Sequence, residues 1–340
     1  PLIMFFQAAQ NAHAPNEMMV SWIWGSSIGA AVAGIYLSVK YKVPVITAWS
    51  APGTALLVTL FPHISLNEVV AAYILAAVVI FIIGITGYFD VLLKWIPQDI
   101  AAAMMAGILF QFGLGLFKAT DTMPVIVFGM LLVFLLAKRF SPRYAMVWVL
   151  VAGVALSLAG GKMNPVEVNF SLAMPQFIAP EWTWNSVFNL AIPLILVSLS
   201  GQFLPGMAIM KLSGYDMPAK PIIGVTSVVS LLVAFVGGIT IVLASITAAL
   251  CMGKDAHEEA NKRYIAGIAN GIFYIIGGLF AGSIVMLFSL LPKELVAALA
   301  GLALLGAIAT NVTMAMANPE QRDAALITFL ASASGMKFLG

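Results

Sequence analysis

The chain has 340 residues, of which 62% are hydrophobic and only 9% charged, with a formal net charge of +2. Soluble globules carry about a quarter charged residues, so this composition excludes one and requires an integral membrane protein. The small net charge, without a basic stripe interleaved with aromatics, excludes a nucleic-acid binder, and a single cysteine, Cys251, excludes an intramolecular disulfide or a multi-cysteine metal site.

Thirteen apolar stretches follow in chain order, each long enough for a span of ~20 residues or for a shorter broken one. The first, 1–14, opens at Pro1 without a Met and is apolar at once, so part of its helix is expected to be absent, and no cleavable signal peptide is legible. Next come 19–39, 45–61, 68–89, 97–117, 122–137 and 144–160. The connection 161–185 carries Val166, Val168, Phe170 and Leu172 in alternation with polar residues, which predicts a short strand, and then Trp182 and Trp184, which read as an interfacial aromatic belt. The remaining stretches are 186–210, 219–236, 239–252, 264–291, 295–316 and 324–340. Between the tenth and eleventh lies the most polar loop, where Asp255 and Glu258 have capping-box spacing. His257 beside its two carboxylates reads as solvated loop.

Two stretches look broken. Val43-Pro44-Val45-Ile46-Thr47 is β-branched and proline-interrupted before Ser50-Ala51-Pro52-Gly53, and Gly237-Gly238-Ile239-Thr240-Ile241-Val242 precedes Ala244-Ser245. Each predicts extended chain followed by half a helix, with Ser50 and Ser245 as N-caps and Pro52 in the first turn. Extended backbone at membrane depth must be buried in protein or line a cavity, because unsatisfied amides in lipid cost several kcal/mol each, and two such segments in inverted repeats can pair with each other.

One offset of 195 residues relates Gln7 to Gln202, Gly87 to Gly282 and Pro97-Gln98-Asp99-Ile100 to Pro292-Lys293-Glu294-Leu295; a looser fourth pair, 47–56 with 241–250, is offset by 194. Because seven spans separate the copies, the repeat is predicted to be inverted. Residues 1–160 form the first copy, 161–185 an extracytoplasmic connection and 186–340 the second. Residue 340 corresponds to Ala145, so a fourteenth helix is expected beyond it, giving an all-α membrane protein of seven plus seven spans with two short strands in broken spans 3 and 10. Alternate loops divide the sixteen Lys and Arg twelve to four, which places the N-terminus in the cytoplasm.

In that orientation the half-helices of spans 3 and 10 start near the midplane and aim their positive ends at each other. Each is equivalent to about +0.5 charge, so together they suit one carboxylate without any Lys or Arg. The polar side chains expected around this centre are Gln7, Gln202, Ser198, Ser200, Thr47, Ser50, Thr240 and Ser245, with Val242 on the tenth span. Phe5, Phe6, Trp49 and Phe203 adjoin them as an aromatic slot.

Pro44-Val45-Ile46-Thr47-Ala48-Trp49-Ser50-Ala51-Pro52-Gly53, Gln202-Phe203-Leu204-Pro205-Gly206, Ile246-Thr247-Ala248-Ala249-Leu250-Cys251-Met252-Gly253 and Ala324-Ala325-Leu326-Ile327-Thr328-Phe329 give the chain, over nearly its whole length, a sequence that resembles the bacterial benzoate/proton symporter family. That family is related to the uracil/proton symporter fold. The resemblance implies a core domain from spans 1–4 and 8–11 and a gate domain from spans 5–7 and 12–13, and it alone supplies benzoate as substrate. Nucleobase carriers of this fold place carboxylates in spans 8 and 10, whereas the aligned stretches here hold Gln202 and Ile241-Val242. A deep acid would be the default proton carrier; without one, coupling falls to the substrate's own carboxyl or to a boundary group, Asp90 or His13.

The sequence therefore predicts a secondary active transporter of the bacterial inner membrane, taking up an aromatic carboxylate with a proton by alternating access. Its partners are that carboxylate, the proton, membrane lipid and a second copy in a homodimer, with no cofactor and no metal. A same-fold carrier of another anion or of a nucleobase is the alternative. A membrane-embedded enzyme would need a nucleophile, metal cluster or acidic pair within the bilayer, and a channel a filter motif; neither is legible.

Overall fold

The computed structural model describes residues 2–89, 98–162, 172–244, 248, 251–253 and 256–334. Its elements, in chain order, are α1 (Leu2–Asn11), α2 (Asn16–Tyr41), β1 (Thr47–Trp49), α3 (Ala51–Leu60), α4 (Leu66–Thr86), α5 (Gln98–Lys118), α6 (Pro124–Phe140), α7 (Ala145–Ala159), α8 (Trp184–Leu212), α9 (Ala219–Ala234), β2 (Ile241–Leu243), α10 (Tyr264–Leu279), α11 (Ala281–Ser289), α12 (Lys293–Ala315) and α13 (Arg322–Ser334). Among the described residues, five helices are long and apolar enough to cross a membrane alone: Asn16–Tyr41, Leu66–Thr86, Asp99–Asp121, Trp184–Leu212 and Lys293–Ala315.

The two expected extended segments pair as an antiparallel two-stranded sheet, Thr47 opposite Leu243, Ala48 opposite Val242 and Trp49 opposite Ile241. The ladder is bracketed by Ser50 N–H donating to Thr240 O at 2.9 Å and Ala244 N–H donating to Ile46 O at 2.8 Å. A two-stranded ribbon leaves amides on its outer edges, and buried amides need partners. Helix hydroxyls supply them: Ser38 Oγ accepts from Val45 N at 3.2 Å, Ser26 Oγ from Ile239 N at 3.1 Å and Ser230 Oγ from Ile241 N at 2.8 Å. Thr47 Oγ1 donates in turn to Ala30 O at 2.6 Å. This close approach needs Gly34, whose Cβ would stand 2.7 Å from Thr47 Oγ1.

Helices sort into two groups by packing. Around the ribbon, α2 lies along α10 and α4 along α9, while α1 packs on α3; beside them, α5 crosses α12 and α13, and α6 pairs with α7. Gly107 and Gly301 permit the close crossings, because a Cβ at either would meet a backbone carbonyl, of Phe329 and Phe112 respectively. Phe128, Leu132, Phe140, Val147 and Trp148 of α6 and α7 are exposed; an apolar surface of this extent belongs against lipid.

Two spans depart from the predicted rods. The stretch 264–291 is two helices, bent by 66° between Leu279 and Ala281; Gly277, Gly278 and Gly282 flank the break and lower the cost of leaving the helix. The eighth span holds two π-helical turns, Val187–Ala191 and Leu199–Phe203. Each is followed two residues on by a proline, Pro193 and Pro205, which has no N–H to donate and displaces the carbonyl four residues back, so the preceding turn widens. The strand predicted across 166–172 lies outside the described residues except Leu172, which is irregular, and Asp255 of the proposed capping box is likewise outside them.

Residues 172–183 run as a strap across one end of the ribbon-containing group. Ala173 N–H donates to Leu279 O at 2.9 Å, Ile178 N–H to Phe235 O at 2.8 Å and Glu181 N–H to Asn67 O at 3.0 Å, and Asn67 Nδ2 donates to Ala179 O at 2.8 Å. Ser21 Oγ accepts from Gln176 N at 2.8 Å and donates to Val236 O at 2.8 Å. Here Gly237 adopts φ +76° with Trp22 packed where a Cβ would stand, so only glycine fits. The strap thus joins the ends of α2, α4, α9 and α10. Ser21→Ala leaves Gln176 N–H and Val236 C=O without this partner, and unfolding of the purified protein should show a loss of about 1–3 kcal/mol; an unchanged melting midpoint would refute the tie.

Candidate functional site at the paired strands

The expected N-cap forms as predicted. Ser50 is extended at φ −67°, ψ 106°, its Oγ accepts from Gly53 N at 3.1 Å, and Pro52 occupies the first turn of α3. Thr54 N–H and Thr54 Oγ1 both donate to Ser50 O at 3.0 Å. Since Pro52 has no N–H, Ala51 carries the one amide of this turn without a partner among the described residues. The tip of α3 therefore offers its dipole and a single donor, fewer than an uncapped helix end.

Around this tip several buried polar atoms have no hydrogen-bond partner among the described residues: Gln7 Oε1, Trp49 Nε1, Ser198 Oγ and Thr240 Oγ1. Thr240 is joined to the tip through the Ser50 amide. Trp49 ends β1, 5.8 Å from the Phe5 ring and 5.3 Å from Tyr274. Leu194 of α8 closes on Gly53, where a Cβ would stand 2.6 Å from Leu194 Cδ1, and Ser198 follows one turn later on the same face. Buried polar atoms left bare cost about 1–3 kcal/mol each.

Of the predicted site residues, the structure gathers Trp49, Ser50 and Thr240 at the ribbon, with Gln7 on α1 packed against α3 and with Ser200 and Gln202 on the second π turn of α8, which packs on β2. Ser200 Oγ donates back to Leu196 O at 2.6 Å, and the Thr47 hydroxyl donates to Ala30 O, so both protons are committed to structure. Val242 is buried among Leu199, Phe203 and Leu243. Ser245 and Asp90 lie outside the described residues. His13 sits past the end of α1 at φ +50°, away from the ribbon.

A cavity of about 230 Å³ adjoins Trp49, with Ser27, Asn270 and Tyr274 as its polar lining and Ile23 and Phe273 among its apolar walls. Asn270 was not singled out from the sequence, where one amide on an apolar helix carries no signal of its own.

The whole chain, residues 1–340, matches the family model for the Benzoate membrane transport protein. The chain therefore belongs to the benzoate membrane transport family, a family of membrane transport proteins. The Benzoate membrane transport protein of Acinetobacter baylyi (strain ATCC 33305 / BD413 / ADP1) is 75% identical over 340 residues, spanning 100% of this chain and 86% of that protein. Inner membrane protein YdcO of Escherichia coli (strain K12) is 37% identical over 337 residues, 99% of this chain and 86% of that one. Among solved structures, the transmembrane domain of the cyanobacterial bicarbonate transporter BicA superposes with a TM-score of 0.67 at 12% identity, covering 98% of this chain and 91% of that one. SLC26A9 follows with a TM-score of 0.65 at 14% identity, 98% of this chain and 60% of that one. At such identities the likeness is one of fold.

Ser50→Ala should lower the unfolding free energy of the purified protein by about 1 kcal/mol through loss of the cap, and Ser50→Asp should restore most of it. Equal stability of Ser50→Ala and the parent would contradict the capping role.

Proposed function

We propose that the protein is a secondary active transporter that takes up benzoate or a similar aromatic carboxylate together with a proton, by alternating access. The observation that carries this reading is the junction itself: two broken segments paired strand to strand, a capped helix tip, and, beside aromatic rings, neutral polar atoms without partners among the described residues. A carboxylate entering a bilayer-depth site gains from the helix end and from hydroxyl, indole and amide donors, and its ring gains from Phe5 and Trp49. Membership of the benzoate membrane transport family and the name of the Acinetobacter relative support benzoate as the substrate.

The inverted seven-plus-seven architecture is supported by exchange under the 195-residue offset. Shifting α2 forward reaches α9 and shifting α10 back reaches α4, so the packed pair α2–α10 becomes the packed pair α9–α4. In the same way α5 maps onto its own partner α12, and the strand pair Thr47–Leu243 maps onto Ala48–Val242. We read spans 1–4 and 8–11 as the core domain and the remainder as the gate, with the core moving against α5 and α12. The N-terminus is assigned to the cytoplasm of a bacterial inner membrane, and the proton to the substrate carboxyl or a boundary group.

A second reading, a same-fold carrier of a different anion, is favoured by the fold neighbours, a bicarbonate transporter and an anion transporter. Uptake of labelled benzoate into proteoliposomes, with uracil, xanthine, sulfate and bicarbonate as competitors, separates the two. An inward pH gradient should accelerate saturable benzoate uptake several-fold, with the competitors inert; no stimulation would refute proton coupling, and displacement by bicarbonate would favour the second reading. Ser50→Ala and Gln202→Ala should each raise KM for benzoate about tenfold, equivalent to about 1.4 kcal/mol of binding, and unchanged kinetics in both would remove this site assignment.

A further inference from the structure

Two charged side chains at corresponding places in the fold hold the ends of the broken spans. Glu68 opens α4, which follows the third span, and Arg263 immediately precedes α10, which follows the tenth. They are separated by the same 195 residues.

Glu68 forms a capping box with Ser65: Ser65 N donates to Glu68 Oε2 at 2.8 Å and Glu68 N to Ser65 Oγ at 3.1 Å. Capping accounts for one carboxylate oxygen and not the other. Glu68 Oε1 accepts from Thr183 Oγ1 at 2.5 Å, and that same Thr183 oxygen caps α8 by accepting from Ser186 N at 3.1 Å. One carboxylate therefore ties the exit of α3 to the entry of α8. These two elements carry Ser50 and the 198–202 stretch.

Arg263 is 9% exposed and is the one charged side chain in the buried set of the described residues. Among the described residues it has no carboxylate partner; instead Nη1 donates to Met252 O at 2.9 Å, Nε to His257 O at 2.7 Å and Nη2 to Glu258 O at 3.2 Å. Arg263 thereby joins Met252, in the stretch that follows β2, to the loop at His257 and Glu258 just before α10. The planar guanidinium reaches these three carbonyls from three separate nitrogens, whereas an ammonium presents its donors from a single point.

We infer that Glu68 and Arg263 are positioning residues for the substrate site, setting where the two broken spans stand against α8 and α10. This rests on the proposed reading of the ribbon as the place where benzoate binds. Neither side chain touches the substrate; both act through the backbone that presents Ser50, Thr240 and their neighbours.

The test is benzoate uptake by reconstituted Glu68→Gln, Thr183→Val, Thr183→Ser, the Glu68→Gln/Thr183→Val double variant and Arg263→Lys, with KM and kcat per folded transporter and melting midpoints measured in parallel. Glu68→Gln and Thr183→Val should each raise KM about fivefold, the double variant no further, and Arg263→Lys about tenfold, with kcat held within about twofold. Thr183→Ser, which keeps the hydroxyl, and Glu320→Gln, on an exposed turn elsewhere, should match the parent. A KM unchanged in Thr183→Val and Arg263→Lys while the melting midpoints fall would make both ties merely structural and overturn the inference, as would additive effects in the double variant. Absence of saturable benzoate uptake in the parent would instead defeat the underlying assignment of function.

Discussion

The structure depends on one constraint: extended backbone buried among apolar helices must find partners for every amide. Neither broken segment satisfies itself. Residues 45–49 and 239–243 come from opposite halves of the chain, and each completes the other's hydrogen bonds across a three-residue ladder. Because the side-chain period of a strand is two, a slip of one residue would turn Thr47 and Trp49 away from α2 and the aromatic cluster, so the register also decides which groups face the site.

The helices around the ribbon follow from the same requirement. Ser26 and Ser38 on α2 and Ser230 on α9 look like poor choices for buried helix faces, yet each meets an edge amide of the ribbon. Small residues let these helices approach, as at Gly34 against Thr47. The hydrogen bonds that complete the ribbon thereby fix α2 and α9 to it, and α10 and α4 pack outside them. Six buried side-chain polar atoms have no partner among the described residues, and four of them, on Gln7, Trp49, Ser198 and Thr240, belong to residues expected at the site; Tyr73 and Ser227 are the other two.

Much of this was legible in the chain. The β-branched, proline-broken run before Ser50-Ala51-Pro52-Gly53 predicted extended chain, cap and helix in order, since those signals are local. The pairing partner was legible because only one other apolar stretch has the same character. Features set by distant partners were not. The π turns of α8 arise from Pro193 and Pro205, whose effect in sequence is indistinguishable from a simple kink. The bend at 279–281 hides in a run of apolar residues and glycines. Arg263 reads as one more loop cation, because its three carbonyl partners are recognisable only once the loop folds over it. Likewise the strap at 172–183 has no periodicity, and its bonds are to helix ends far away in sequence.

The most direct measurement of the central claim is cysteine cross-linking across the ribbon in membranes, in a Cys251→Ser background. Thr47 and Leu243 are opposed in the ladder, flanked by the bonded pairs 46–244 and 48–242, and so occupy a non-hydrogen-bonded position where opposed Cα atoms lie about 4.5 Å apart. Oxidation of Thr47→Cys/Leu243→Cys should yield an intramolecular disulfide in high proportion, whereas Thr47→Cys/Val242→Cys, one residue out of register and on opposite faces, should yield none. Equal cross-linking of both pairs, or of neither, would contradict a ribbon joining the two halves at this register.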